Sequence, residues 1–203
     1  MTRERVRRVS EEEFWDGEAK AFDERPDHGL RDPAVRTAWS ELLLKLLPVV
    51  PARVADVGCG TGSLSLLMAE AGHEVHGLDI SPAMVKLARE KLAEAGYMAE
   101  FSVGDASAPP WARGSFDAVL TRHVLWAMVD PDVALSRWLG LLTPTGRLVL
   151  IDGRWWTEAG MTAADVSKLV LRHRKEAEVT LLNDATLWGG SISDERYVLV
   201  SRR

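Results

Sequence analysis

Residues 54–81 read VADVGCGTGSLSLLMAEAGHEVHGLDIS, and this stretch decides the fold of the chain. A short apolar run leads into three glycines at alternate positions, Gly58, Gly60 and Gly62, and a helix-forming segment follows. A second apolar run then ends at Asp79. Strand, helix and strand in this order predict a β-α-β unit with parallel strands. The glycines therefore lie at the carboxyl end of the first strand, where open parallel sheets bind ligands and where bare backbone lets a ligand approach.

Helix signals precede this unit. Ser10 followed by Glu13 makes a capping box, which predicts a helix over about residues 10–24. An Asp-Pro pair at residues 32–33 opens a second helix. The segment between the two helices, RPDHGLRDP, is predicted as a loop.

Short apolar runs predict the remaining strands of the sheet. A turn, TPTG, precedes the fifth strand, and a helix over about residues 162–177 follows it. The last two strands are joined by DATLWGGSISDE, which is too short for an ordinary crossover helix, so we expect an antiparallel pair at the sheet edge. The strand segments after the second are AEFSVGDA, FDAVLTRHVL, RLVLID, AEVTLLN and RYVLVSR. We therefore predict an α/β fold with a mostly parallel seven-stranded sheet, helices on both faces and an antiparallel strand pair at the C-terminal end.

Composition excludes several classes of protein. The chain has 203 residues and a net charge of −5, which suits one globular domain over residues 1–203 and disfavours nucleic acid as a partner. Its one cysteine, Cys59, excludes a disulfide within the chain and a cysteine-rich zinc site. The first residues lack the apolar segment of a secretory signal, and no apolar run is long enough to span a membrane. We expect a soluble cytoplasmic protein that does not bind membranes.

The glycine turn carries a carboxylate at its head, and this selects the ligand. A phosphate-binding loop needs Lys-Ser/Thr after its last glycine, and a dinucleotide site needs G-x-G-x-x-G, whereas this turn reads D-x-G-x-G-x-G with Asp56 first. A carboxylate repels a pyrophosphate but suits a ligand with positive charge, such as S-adenosylmethionine. Asp79, 17 residues past Gly62, falls at the tip of the second strand, where it can accept both ribose hydroxyls.

Five segments in order carry a resemblance to a known family. They are DVGCGTG, GLDIS, GDASAPPW, SFDAVLTRHVLW and LLTPTGRLVLID. With these motifs, residues 14–150 resemble a Rossmann-like class I S-adenosylmethionine-dependent methyltransferase of the small-molecule branch. The departure is TPTGR, where the family usually has Pro-Gly-Gly, and that turn is structural. The resemblance implies S-adenosylmethionine as cofactor, S-adenosylhomocysteine as product, and no metal.

The resemblance also implies a role for each motif position. The turn would hold the methionine part of the cofactor, the tip of the second strand its ribose, and the following segments its adenine. The carbonyl of Arg122 would accept the cofactor ammonium, and Trp15, beside Phe14 and Phe22, would belong to an aromatic lid. The remaining positions implied are Asp56, Gly58, Cys59, Gly60 and Gly62 for methionine, Asp79 for ribose, and Ile80, Met84, Asp105 and Ala106 for adenine.

Methyl transfer needs a base only where the acceptor must lose a proton. His123, after the fourth strand, and His28, in the loop between the first two helices, are the candidate bases. His123 could instead pack on the cofactor or form local hydrogen bonds. Trp126, Trp155 and Trp156 fall near the carboxyl edge, where they could line an apolar or aromatic substrate or simply fill that end of the sheet.

The acceptor is expected to be a small molecule. The motifs of DNA and RNA methyltransferases, an Asn/Asp-Pro-Pro-aromatic segment or a Pro-Cys nucleophile, are absent from the sequence. The acceptor atom, N, O or C, stays open. Two other classes also stay open: a catalytically idle S-adenosylmethionine-binding protein, and a nicotinamide-dependent oxidoreductase.

Three segments of the domain are expected to have different roles. Residues 1–47 are expected to form a helical lid, residues 52–150 the cofactor-binding core, and residues 151–203 the C-terminal helix with the last two strands. The interval 152–177 has room for one helix and a short loop, so it cannot supply a full cover for the site. Either the N-terminal segment or a second subunit of a homodimer would have to supply it.

Overall fold

A computed structural model describes residues 10–202, and in that range seven strands form one sheet. The strands in chain order are β1 (Arg53–Val57), β2 (Glu74–Asp79), β3 (Glu100–Val103), β4 (Phe116–Arg122), β5 (Leu142–Arg154), β6 (Glu178–Leu181) and β7 (Glu195–Ser201). Their order across the sheet is β3-β2-β1-β4-β5-β7-β6. The first five strands pair in parallel, and β7 is antiparallel to both β5 and β6. The predicted fold class is confirmed.

Eight α-helices surround the sheet in the described part of the chain, and one turn of 3-10 helix, Leu125–Ala127, follows the fourth strand. The α-helices are α1 (Glu11–Phe22), α2 (Pro26–Gly29), α3 (Pro33–Leu46), α4 (Ser63–Glu70), α5 (Pro82–Glu94), α6 (Pro131–Leu141), α7 (Ala163–Leu171) and α8 (Ala185–Trp188). The predicted capping box is present, because the Glu13 amide donates to the Ser10 hydroxyl and the Ser10 amide donates to the Glu13 carboxylate. Asp32 caps α3 through the amides of Ala34 and Val35.

The sheet is buried on both faces, because successive strand residues point to opposite sides. Along β5, Val149 and Ile151 pack with α3, α4, α5 and α8, whereas Leu148 and Leu150 pack with α6 and α7. Each layer has a fully buried tryptophan, Trp39 on α3 and Trp138 on α6. Within residues 10–202 no helix is both long and apolar enough to cross a membrane.

Three local predictions are wrong. The loop RPDHGLRDP contains the short helix α2, which Pro26 begins and a left-handed Leu30 ends. The TPTG turn is part of β5, because Leu142 already pairs with β4 and a register shift absorbs the extra residues before Arg147. The helix expected over residues 162–177 ends at Leu171, after which the chain turns and His173 contacts Asp132 of α6 at 2.8 Å.

Candidate functional site

A cavity of about 620 Å³ opens at the carboxyl edge of the parallel strands. Its walls are the glycine turn after β1 and the ends of β2 and β4 on one side, and α1 and α2 on the other. A volume of this size is typical of small-molecule sites. The predicted site residues that line it are Trp15, His28, Asp56, Gly58, Cys59, Gly60, Asp79, Ile80, Met84, Asp105, Ala106, Arg122, His123, Trp126, Trp155 and Trp156. Gly62 is the predicted cofactor residue that lies outside this lining.

The glycine turn has a backbone conformation that side chains rarely adopt. Gly58 and Gly62 have φ angles of 74° and 76°. A Cβ at Gly58 would lie 2.2 Å from a methyl group of Val124. A Cβ at Gly62, the left-handed residue before α4, would lie 2.9 Å from the Cβ of Ala88 on α5. Gly62 therefore serves the packing of α4 against α5 beneath the turn, and this explains its place outside the cavity.

Asp56 is a buried carboxylate at the head of the turn. It is 2% exposed, and the Ser65 hydroxyl donates to its Oδ2 at 2.5 Å. Burial raises the pKa of Asp56 to about 6, and the charge of Asp79 adds to this, while the Ser65 bond opposes it. The alternative that Asp56 only accepts backbone amides in a tight turn does not describe this side chain, whose partner is a hydroxyl. A buried carboxylate of raised pKa favours a positively charged ligand.

Cys59 packs under the turn. Its Sγ lies 3.0 Å from the point that a Cβ on Gly77 of β2 would occupy, so it fills space between the turn and the strand. Burial raises the pKa of the Cys59 thiol well above its usual value. The thiol therefore stays protonated at neutral pH and offers no thiolate nucleophile.

Asp79 ties the glycine turn to the start of α5. It accepts hydrogen bonds from the amides of Gly60, at 2.8 Å, and Ser81, at 3.0 Å. Burial raises the pKa of Asp79, and the backbone hydrogen bonds oppose this. Ser81 itself caps α5 by accepting from the amide of Met84 at 3.0 Å. The cap of α5 therefore needs no contribution from Asp79, whose carboxylate also faces the cavity.

Asp105 and Ala106 line the cavity beyond Met84. The carboxylate of Asp105 is held by the Ser107 amide at 2.7 Å and the Ser107 hydroxyl at 2.8 Å. The carbonyl of Ala106 accepts from the indole of Trp138 at 2.8 Å. These bonds fix the segment after β3 in the orientation that presents it to the cavity.

The first two helices cover the cavity. Trp15 and Phe22 of α1 and His28 of α2 line it, and the Phe22 ring stacks on His28 with ring centroids 4.3 Å apart. Phe14, by contrast, is 53% exposed and lies outside the lining. The described part of the expected lid therefore stands over the site, while residues 1–9 of that segment lie outside the described residues.

Three aspartates dock this cover onto the core, and sequence reasoning missed all three. Asp16 accepts from the Ser81 hydroxyl and, at 3.0 Å, from the Ala83 amide at the start of α5. Asp23 pairs with Lys91 at 2.8 Å. A helix bearing aromatics and acids on one side could have indicated such docking, but the basic and hydroxyl partners are remote in sequence.

The third aspartate, Asp27, pairs with Arg122 at the end of β4. The Arg122 guanidinium donates to the Asp27 carboxylate and to its carbonyl, each at 2.6 Å. It lies over the ring of Trp39 at 4.4 Å. Burial lowers the pKa of Arg122 to about 10, and Asp27 opposes this shift. The sequence predicted a role for the Arg122 carbonyl, and the structure adds a side chain that locks α2 to the sheet.

His123 and His28 approach each other across the cavity, with ring centroids 6.4 Å apart. His123 has a φ of 59°, a strained conformation of the kind often found at functional sites. Its Nε2 and the Nδ1 of His28 are buried and have no hydrogen-bond partner among residues 10–202. Burial, helped by the positive charge of Arg122, lowers the pKa of His28 to about 4 and that of His123 well below its usual value. Both rings are therefore neutral at pH 7, and each binds a proton less readily than a free imidazole does.

An aromatic wall closes the far end of the cavity. The Trp126 indole donates to the His123 carbonyl at 3.0 Å, and its ring meets Trp155 at 5.3 Å between centroids. Trp156 lines the cavity as well but is 81% exposed, so it stands at the mouth. Arg196 at the start of β7 joins this wall, although no sequence motif pointed to it.

No group of three or more His, Cys, Asp or Glu side chains in residues 10–202 is arranged to hold a metal ion. The described site thus combines a carboxylate-rich end near the glycine turn with an aromatic and basic end near β7. The first end suits a cationic ligand that contains a ribose, and the second suits a flat molecule.

Comparison with known protein families agrees with this geometry. The profile of the methyltransferase domain family matches residues 55–150, which run from β1 to the middle of β5. The chain is 37% identical over 108 residues to a demethylmenaquinone methyltransferase of Thermus thermophilus, covering 52% of this chain and 49% of that protein. It is 35% identical over 140 residues to a ubiquinone biosynthesis O-methyltransferase of Xanthomonas axonopodis, covering 68% and 54%. The chain thus spans about half the length of these relatives.

A solved structure shares the fold. The [4+2]-cyclase SpnF superposes with a TM-score of 0.70 at 20% sequence identity, covering 82% of this chain and 80% of the cyclase. At this identity the likeness concerns the fold alone.

Proposed function

We propose that the chain is a class I S-adenosylmethionine-dependent methyltransferase, which binds this cofactor and transfers its methyl group to a small planar molecule; the match of residues 55–150 to the methyltransferase domain family supports this. The observation that carries the proposal is the buried, raised-pKa carboxylate of Asp56 at the head of a glycine turn, with Asp79 on the next strand tip. The charge of Arg122 lowers the pKa of Asp56, but no basic side chain of the described chain forms a salt bridge with this carboxylate, so a cationic ligand would supply a direct partner.

The cavity residues would divide the cofactor between them. Asp56 and the glycine turn would hold the amino-acid part, with the Arg122 carbonyl as acceptor for the ammonium. Asp79 would accept the ribose hydroxyls, since its carboxylate faces the cavity while two backbone amides fix it. The adenine would lie among Ile80, Met84, Asp105 and Ala106, with Trp15 over the site. When bound, the cofactor supplies an electrophilic methyl group on a sulfonium.

The two neutral histidines would manage the proton of the acceptor. A hydroxyl acceptor must lose a proton as its oxygen is methylated, and the free Nε2 of His123 is buried in the same cavity. His28 lies across from it, so either ring can act as the base. Trp126, Trp155 and the α1–α2 cover would position the acceptor and keep water out of the site.

The relatives suggest the acceptor class. The names of the two relatives refer to demethylmenaquinone and to ubiquinone biosynthesis. A hydroxylated aromatic ring of this kind matches the tryptophan wall formed by Trp126, Trp155 and Trp156. We therefore propose a quinol-type or related hydroxyaromatic acceptor, with methylation at oxygen or carbon.

A direct assay tests this function. The full chain is incubated with methyl-labelled S-adenosylmethionine and reduced 1,4-naphthoquinone, and mass spectrometry follows the label. We expect label in the naphthoquinol and formation of S-adenosylhomocysteine, both much reduced in His123→Ala. Cofactor binding without transfer to a panel of hydroxyaromatic molecules would instead support the idle binding protein, or another reaction on the same fold. Binding of NAD in place of S-adenosylmethionine would support the oxidoreductase.

The N-terminal segment is proposed as a lid that becomes more ordered when cofactor binds. Its docking rests on ion pairs and hydrogen bonds from Asp16, Asp23 and Asp27, which can break and re-form without unfolding the sheet. Hydrogen exchange over residues 10–31, with and without S-adenosylhomocysteine, measures this ordering. Equal protection in both states would reject it, and would favour a cover supplied by a second subunit.

A further inference from the structure

Charged residues line both ends of the cavity. The carboxylates of Asp56, Asp79 and Asp105 accept hydrogen bonds but form no salt bridge within residues 10–202, and they lie at the end that holds the glycine turn. At the opposite end, near β7, the cavity is lined by Arg196, whereas Arg122 lies between the two ends, at the tip of β4, and is paired with Asp27. A cofactor with positive charges fits the first end, and the second end therefore offers positive charge to whatever the cofactor reacts with.

Arg196 reaches the cavity because of the sheet topology. β7 is antiparallel to β5, and Arg196 pairs with Gly153 near the end of β5. The start of β7 therefore lies at the carboxyl edge of the parallel strands, at the ligand-binding side of the sheet. The topology therefore places the Arg196 guanidinium in the substrate half of the cavity, although no sequence motif marks this residue.

The guanidinium of Arg196 keeps hydrogen-bonding capacity for a ligand. Asp194 accepts from its Nε at 2.9 Å and from one Nη at 3.0 Å. A guanidinium has five N–H donors, and among residues 10–202 Asp194 is its hydrogen-bond partner, so the second Nη is left over. Asp194 does not line the cavity, whereas Arg196 does. The two hydrogen bonds to Asp194 thus fix the orientation of the guanidinium, and its second Nη remains available to a ligand in the cavity.

Aromatic rings flank that guanidinium. It lies 4.8 Å from the ring centroid of Trp188 and 5.6 Å from that of Trp155. The same two rings contact His123, at 6.4 Å and 5.1 Å between centroids. Arg196 and the candidate base His123 therefore contact the same two rings, and of these rings Trp155 lines the cavity with them. A flat ring stacked on Trp155 would place an anionic oxygen near the guanidinium.

We propose that the acceptor is an aromatic anion, and that Arg196 determines this specificity by binding its anionic oxygen. The inference rests on the proposed function and narrows its substrate class. Either a ring carboxylate or an ionised ring hydroxyl supplies the required oxygen. Burial and the charges of Arg122 and Arg196 lower the pKa of His123 and keep its ring neutral. Arg122 donates to the carboxylate and the carbonyl of Asp27, so the unused Nη of Arg196 is a cationic donor left for the acceptor.

The test compares matched probes for binding, in the presence of saturating S-adenosylhomocysteine. 2-Naphthoate is a planar anion, and 2-naphthamide is its neutral counterpart. Calorimetry on the full chain should show naphthoate binding at least about tenfold more tightly, as charge-assisted hydrogen bonds predict. Arg196→Gln should abolish this preference and leave naphthamide affinity unchanged, while Arg196→Lys should keep part of it. 4-Nitrophenol, titrated on either side of its ionisation, shows whether a phenolate is preferred as well.

A control variant and a separate measurement of cofactor affinity distinguish failure of this proposal from failure of the proposed function. Arg154→Gln removes a nearby β5 arginine that does not line the cavity, and it should behave as the wild type does. Affinity for S-adenosylhomocysteine, measured on each variant, reports whether the cofactor half of the site is folded and functional. Equal binding of naphthoate and naphthamide, no binding of either, or an unchanged preference in Arg196→Gln would each overturn the proposal. If S-adenosylhomocysteine itself fails to bind the wild type, the proposed function fails instead.

Discussion

Replacing Asp56 by asparagine should stabilise the ligand-free protein and weaken cofactor binding. Asp56 is 2% exposed, and its hydrogen-bond donor is the hydroxyl of Ser65. Asparagine has nearly the same shape and keeps a carbonyl oxygen that can accept from Ser65. The substitution therefore removes the buried negative charge while leaving the packing and the hydrogen bond in place.

The size of the effect follows from the pKa of Asp56. Burial raises it from the usual 3.8 to about 6. Because the folded-state pKa is the higher one, the stability contributed by the protonated carboxyl is complete below pH 3.8 and is lost as pH rises through about 6. The difference between the pKa values of Asp56 in the unfolded and folded states corresponds to about 3 kcal/mol, at 1.36 kcal/mol per pKa unit. Asp56→Asn cannot ionise, so its free energy of unfolding at about pH 8 should exceed that of the wild type by about 3 kcal/mol.

Urea denaturation across the acid to neutral range measures this difference. The gap between Asp56→Asn and wild type should be small near pH 4 and should grow to its full value above about pH 7. Asp152, whose pKa burial raises to about 7, contributes a pH dependence of the same sign in both proteins, so it cancels in the comparison. Glu41→Gln, at an exposed position of α3, serves as the control and should show no such gap. A gap that does not vary with pH would refute the reasoning.

The same variant should bind S-adenosylhomocysteine at least about tenfold more weakly, since it lacks the charge that would face the cofactor ammonium. In the wild type the affinity should also fall as pH drops below about 6, because Asp56 then takes up a proton. Calorimetry over that range tests both statements. Wild-type affinity in Asp56→Asn would show that the carboxylate does not contact the cofactor.

Further predictions concern the turn, the ribose site and the lid. Gly62→Ala should destabilise the fold by about 1–3 kcal/mol in urea denaturation and leave cofactor affinity unchanged, because Gly62 has a left-handed backbone and lies outside the cavity. Gly72→Ala, also left-handed but with open space around its Cβ position, should show a smaller loss, and an equal loss would contradict the packing role of Gly62. Asp79→Asn should weaken S-adenosylhomocysteine binding by about 1–3 kcal/mol in calorimetry, and an unchanged dissociation constant would remove Asp79 from the ribose site. Asp27→Ala should lower stability by about 2–4 kcal/mol and speed hydrogen exchange of α1 and α2, because Arg122 is left buried with its backbone bond alone; unaltered exchange would show that this ion pair does not hold the lid.

The cofactor half of the cavity could be predicted from the sequence because its determinants are local. The glycine turn, Asp56, and the acid at the tip of β2 all lie within one β-α-β unit, whose spacing fixes their relative positions. Strand order and the antiparallel end of the sheet likewise follow from alternating patterns and from connection lengths. Short apolar runs and capping signals are sufficient evidence for elements of this kind.

The substrate half could not be predicted in the same way because its contacts join remote residues. Arg122 meets Asp27 across 95 residues, and Arg196 reaches the cavity only because β7 runs antiparallel to β5. A lone arginine at the start of a strand carries no signal until the topology is known. The left-handed backbone of His123 is similarly set by tertiary contacts, since no glycine or turn motif marks it.

The lid could be predicted from the sequence only in part. Aromatic residues on α1 indicated a cover, and the capping box fixed where the helix begins. The direction of the cover depends on Asp16, Asp23 and Asp27, whose partners lie on α5 and β4. Acidic side chains on an exposed helix normally indicate a solvated face, so pattern alone did not distinguish docking residues from surface residues.

The central claim is that the cavity at the glycine turn is an S-adenosylmethionine site. Calorimetric titration of the full chain with S-adenosylhomocysteine, and in parallel with NAD, tests it most directly. We predict a single site for S-adenosylhomocysteine with a dissociation constant in the micromolar range, and no measurable heat with NAD. Binding of NAD without binding of S-adenosylhomocysteine would contradict the claim.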